Sequence, residues 1–146
     1  MRAFRFRLEK VLAWRRTQLE LEDAKLKRQI SALAELDRAE SELEATAIRS
    51  ELQVRDWSPI SGNDLAALSS FRLHVQNREK EIATRRAEAL QQLAAQQQAM
   101  LEARRRCRLL ERLEERRRAE WQAAADREVE QLAAESYLSG LVRRRS

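Results

Sequence analysis

With 146 residues and a formal net charge of +5, the chain is long enough for one ordinary domain, yet 36% of its residues are charged, 5% are aromatic, and it holds two glycines and one proline. That composition excludes a thick globular core and leaves few places to turn, while 43% apolar residues exclude wholesale disorder. The remaining solution is a few long helices with narrow apolar seams, none with the about 18 uncharged apolar residues in a row that a membrane span needs.

The chain opens on a basic stretch, Met1-Arg2-Ala3-Phe4-Arg5-Phe6-Arg7-Leu8, that runs into a charged amphipathic segment instead of an apolar one. No secretory signal is expected from it. A first helix is predicted over about residues 4–56. Its seven-residue row is Leu12, Leu19, Leu26, Leu33, Glu40, Ala47 and Val54, with Leu8, Ile30, Leu36 and Leu43 at intermediate seam positions.

Between Trp57 and Asp64 the only proline and one of the two glycines come together with no helical period, so a turn is predicted at about 57–62. Ser61 followed by Asp64 resembles a capping box ahead of Leu65 and Leu68, which starts a second helix at about residue 62 or 63.

The second helix is predicted to run to about residue 142, with a weaker seam of Leu68, Val75, Ile82 and Ala89. A four-residue step then leads to Leu93, Met100, Cys107, Glu114 and Trp121, a stutter that unwinds a coiled coil locally. Folding the chain back at Pro59 pairs Leu12 with Cys107, Leu19 with Met100 and Leu26 with Leu93, at residue numbers adding to about 119. Nearer the turn a value of about 122 is needed, pairing Val54 with Leu68 and Ala47 with Val75. The fold class predicted is therefore all-α: one long antiparallel two-helix coiled-coil hairpin over 1–146, its second helix the longer. Residues after about 116 are expected to lack an intramolecular partner while keeping Trp121, Ala124, Val129, Leu132, Tyr137, Leu138 and Leu141 at roughly helical spacing, as a docking tail or a frayed end.

The residues give catalysis little to work with. One histidine, His74, one thiol, Cys107, and no Gly-rich phosphate loop or spaced ligand cluster point to a non-enzyme without metal, cofactor or small-molecule ligand. His74 is read as a surface residue and Cys107 as a small apolar seam filler. With a single cysteine no internal disulfide forms, in keeping with the cytoplasm. Arg104, Arg108, Arg112 and Arg116 recur every fourth residue and make a cationic stripe, which reads either as a dock for an acidic partner or as a solvated flank paired with Glu111, Glu114 and Glu115. Arginine outnumbers lysine 25 to 4, but 24 acids are interleaved with the bases, so no nucleic-acid partner is expected. Trp14 and Trp57 are possible partner anchors, and Trp121 lies beyond the predicted hairpin.

Two stretches carry a family resemblance. Phe4-Arg5-Phe6-Arg7-Leu8-Glu9-Lys10-Val11-Leu12 with Arg15 and Arg16, and Arg108-Leu109-Leu110-Glu111-Arg112-Leu113 with Arg116, Arg117 and Leu132-Ala133-Ala134-Glu135, resemble the opening and closing regions of the FliJ stalk proteins of the flagellar type III export apparatus. Ala134 departs from the Asp-Glu pair common there. Length, turn position and the longer second helix agree with the family along the whole chain.

The resemblance implies a non-enzymatic stalk that enters the hexameric export ATPase, much as the gamma-subunit coiled coil enters rotary ATP synthases, and promotes its assembly and activity. It places Phe4, Phe6, Arg15, Arg16, Arg112, Arg116 and Trp121 at the ATPase end. It also implies contact with the membrane export gate through Phe71 and Val75, although Arg78 and Ile82 replace the small residue and histidine of the family, and it implies handling of export chaperones. The expected location is the cytoplasmic face of the inner membrane at the flagellar base. The alternatives are the equivalent stalk of a virulence secretion system, a generic coiled-coil scaffold, or a basic nucleic-acid-binding helix.

Overall fold

A computed structural model of the chain describes residues 2–57 and 59–145; Met1, Ser146 and Ser58, the last of these inside the predicted turn, lie outside them. Regular structure among the described residues is two helices, α1 (Glu9–Arg55, 47 residues) and α2 (Gly62–Arg145, 84 residues), so the protein is all-α with the second helix the longer. Neither is long and apolar enough along its course to cross a membrane. α2 holds helical geometry past the expected end at 142. α1, by contrast, begins at Glu9 and not near residue 4, because the residues before it serve another purpose described below.

The chain packs as two compact units, Leu21–Leu101, called here the hairpin unit, and Met1–Glu20 with Glu102–Ser146, called the basic unit. In the hairpin unit the turn is closed from both sides. Asp56 N–H donates to the Gln53 carbonyl and Trp57 N–H to that of Val54, both at 3.1 Å, which tightens the last turn of α1. Ser61 and Asp64 form the reciprocal capping box: Ser61 N–H donates to Asp64 Oδ2 and Asp64 N–H to Ser61 Oγ, each at 3.1 Å. These bonds hold the Asp64 carboxyl below its usual pKa range, the backbone donor of Ser61 first.

The seam of the hairpin unit follows the seven-residue rows. Leu26, Leu33, Ala47 and Val54 on α1 are half-buried, while Leu68, Val75 and Ile82 on α2 are buried. Each well-buried aliphatic side chain contributes about 1.5–3 kcal/mol. Ile30, expected between the rows, is instead 50% exposed. The second α1 row runs three residues after the first, through Glu22, Gln29, Leu36, Leu43 and Ser50, all half-buried. Polar residues therefore hold part of the seam, and Gln29 Oε1 is buried there without a hydrogen-bond partner. A polar seam residue costs stability and penalises slipped alignments, where it would face a leucine.

Both α2 rows are occupied on either side of the stutter, since Ala89 and Leu93 are each half-buried. Cross-helix bonds show its consequence. Gln96 Nε2 donates to the Glu22 carbonyl at 3.1 Å and to the Glu22 carboxylate, whereas Arg86 Nε bonds Asp37 at 2.8 Å and Arg72 bonds both oxygens of Glu51 at 2.7 and 2.9 Å. Residue numbers of the paired positions thus rise from 118 at Glu22 and Gln96 to 123 at the other two pairs, and the change brackets Ala89–Leu93. A four-residue step on α2 against an unbroken seven-residue step on α1 shifts the pairing in this direction. The exposed ion pairs mark the alignment and add little stability.

Candidate partner-binding site

The basic unit holds 18 of the 29 basic side chains and 11 of the 24 acidic ones. Its construction starts in the residues ahead of α1. Phe4 and Phe6 alternate with Arg5 and Arg7, a two-residue period that suits an extended chain and cannot bury both rings from a helix. The segment is accordingly non-helical, with Phe6 buried, Phe4 half-buried and the arginines exposed. Glu9 N–H then bonds the Phe6 carbonyl at 3.2 Å and Leu12 N–H the Leu8 carbonyl at 2.9 Å, leading the chain into α1.

Phe6 joins Leu12 and Cys107, 2% and 3% exposed, in the core of this unit, with Phe4, Leu19, Leu110 and Leu113 packed around them. The predicted pairing of Leu12 with Cys107 is present. Burial, then the Glu111 carboxylate beside it, pushes the Cys107 thiol above its ordinary pKa, and Sγ lies 3.6 Å from Glu111 Oε1. The sign follows: a raised thiol pKa favours the protonated folded form, so this contribution is intact below the unfolded thiol's pKa and is lost as pH rises through the folded value. Cys107 is expected to resist a thiol reagent in the native protein at neutral pH and to react at the rate of a free thiol in denaturant. Fast native labelling would remove Cys107 from the core.

Trp121 requires a correction. Expected beyond the hairpin without an intramolecular partner, it is half-buried: its Nε1 donates to the Arg2 carbonyl at 3.1 Å, and its ring lies 6.1 Å from that of Phe4 at 55°. Arg118 stacks on Phe4, its guanidinium carbon 4.9 Å from the ring centre. The segment ahead of α1 therefore partners α2 as far as Trp121, five residues past the expected limit. Beyond it, Val129, Leu132, Tyr137 and Leu138 are exposed on a helix that stays helical to Arg145. Between the segment and α2 lies a cleft of about 1160 Å³ lined by Arg2, Arg5, Arg7 and Arg117 with Phe4, Phe6 and Trp121.

All seven residues assigned to one end by the sequence reading, Phe4, Phe6, Arg15, Arg16, Arg112, Arg116 and Trp121, fall in this unit, though not in one role. Phe6 is core. Arg15 stacks on Trp14 at 4.6 Å, and Arg16 Nε reaches Glu111 at 3.5 Å. Arg112 and Arg116 are exposed. Along the cationic stripe, Arg104, Arg108, Arg112 and Arg116 make no ion pair among the described residues, while Arg106, Arg117 and Arg118 beside it pair with Glu102, Glu120 and Glu114. The pairing expected of a solvated flank is thus taken up by the neighbours.

No protein-family model, curated protein or solved structure matches the chain.

The two residues assigned to a second contact lie in the hairpin unit. Val75 is 7% exposed and packs in the seam, so this conformation does not offer it to a partner, whereas Phe71 is half-exposed on the flank. His74 is exposed, and no group of three or more His, Cys, Asp or Glu side chains among the described residues could hold a metal. Sequence reasoning missed Arg118, Arg117 and Leu113 as neighbours of the aromatic pair. The alternation of Phe and Arg ahead of α1 was the signal that could have found them.

Proposed function

We propose that this chain is a non-enzymatic coiled-coil stalk of a flagellar type III export apparatus, which binds the export ATPase hexamer and promotes its assembly and activity. The observation that supports this reading is the basic unit itself: an excess of arginine, a stripe of four guanidiniums that make no ion pair among the described residues, and a Phe4–Trp121 pair that ties the segment ahead of α1 to α2. Such an end suits insertion into a ring whose lumen is polar and acidic. Phe71, on the flank of the hairpin unit, is the contact offered to a membrane export gate, and export chaperones are further partners. The protein then works at the inner-membrane face of the flagellar base.

The test is to mix the purified chain with the export ATPase and measure hexamer formation and hydrolysis rate. Both are expected to rise, and the rise is expected to shrink when Arg112 and Arg116 are changed to Glu. An ATPase indifferent to the wild-type chain ends the proposal.

A further inference from the structure

At the start of α1 an apolar ridge stands outside the seam. Leu8, Val11 and Trp14 are 36%, 41% and 52% exposed, and they follow one another at three-residue steps, the spacing of an oblique ridge that fits a groove between side chains of another helix. Arg15 lies over one face of Trp14, its guanidinium carbon 4.6 Å from the ring centre.

The charge around the ridge has one sign. Within α1, Lys10 falls on the same side of the helix as Trp14, and the acids of this stretch, Glu9 and Glu20, lie about 120° or more around the axis from it. Lys10 and Arg15 make no ion pair among the described residues. Tryptophan and arginine are the side chains most often found at the energetic centre of protein interfaces, where an apolar anchor is ringed by polar contacts.

We propose that the Leu8–Val11–Trp14 ridge docks a third helix, an acidic amphipathic one, whose apolar stripe covers Trp14 and Val11 while its carboxylates meet Lys10 and Arg15. An oblique ridge at three-residue steps matches the groove of a helical partner, and the surrounding cations fix the sign of its charge. The surface does not require the export reading and stands on its own chemistry.

Two synthetic helical peptides of about three heptads, sharing one leucine stripe and differing only in Glu or Lys flanks, are titrated against the full chain by calorimetry, alongside vesicles of phosphatidylglycerol. The Glu-flanked peptide is expected to bind, more weakly as salt is raised, and the Lys-flanked one to be ignored. Trp14→Ala, at an exposed position, is expected to keep the wild-type helicity and thermal midpoint while weakening the acidic peptide about tenfold or more. Lys10→Glu is expected to lower binding of the acidic peptide and raise that of the basic one. Equal binding of both peptides, an acidic peptide insensitive to Trp14→Ala, or binding to the vesicles with none to the peptide would each overturn the assignment.

Discussion

Replacing Leu12 by alanine is expected to destabilise the basic unit by about 2–5 kcal/mol. Leu12 is 2% exposed and clusters with the buried Phe6 and Cys107, so truncation removes apolar contact and leaves a void. Phe6 belongs to a non-helical segment that can settle into part of that void, which places the cost toward the lower end of the range. The effect should be visible in the tryptophan signal on chemical denaturation, because Trp121 packs on Phe4 in the same unit. Val11→Ala, one residue away but 41% exposed, is the control, with an expected cost of about 0.5 kcal/mol or less. Similar costs for the two variants would mean that the seam row does not carry the packing.

The second large effect concerns the stutter. One alanine inserted between Ala89 and Leu93 turns Leu93, Gln96 and Met100 by about 100° relative to Leu68, Val75 and Ile82. In the hairpin unit this takes Gln96 from Glu22 and Met100 out of the seam, and a lower melting temperature with a broadened transition is expected in circular dichroism. Three inserted alanines convert the four-residue step to seven and bring α2 into step with the unbroken rows of α1. That variant is expected to melt near the wild-type temperature. If the one- and three-residue insertions melt alike, the pairing drift does not originate at Ala89–Leu93.

The rows Leu12 to Val54 and Leu68 to Trp121, stutter included, were readable from periodicity, because each heptad repeats one local rule and the sum over many heptads outweighs exceptions such as Glu40. The capping box at Ser61 and Asp64 was equally local. Ile30 was misplaced for a related reason: a search for apolar side chains passes over Gln29, which occupies the seam because its position in the heptad requires it, not because its side chain prefers burial. Among the candidate site residues, the grouping of Phe4, Arg16 and Arg112 at one end was implied by the family resemblance, whereas Trp121 was expected beyond the hairpin. Their individual roles were not legible, since whether an arginine is exposed or paired depends on which side chain the other helix brings beside it.

By itself the sequence determined the helical class, the turn, the capping, the asymmetry of the two helices and the drift in pairing, all consequences of spacing along one chain. Tertiary structure alone decided the fate of the residues ahead of α1. A helical beginning near residue 4 would have put Phe4 and Phe6 on faces about 200° apart, whereas the non-helical segment packs both against residues of α2 and lets Trp121 close over Phe4. That choice depends on a contact between residues 2–6 and a tryptophan more than a hundred positions away. No local period encodes it.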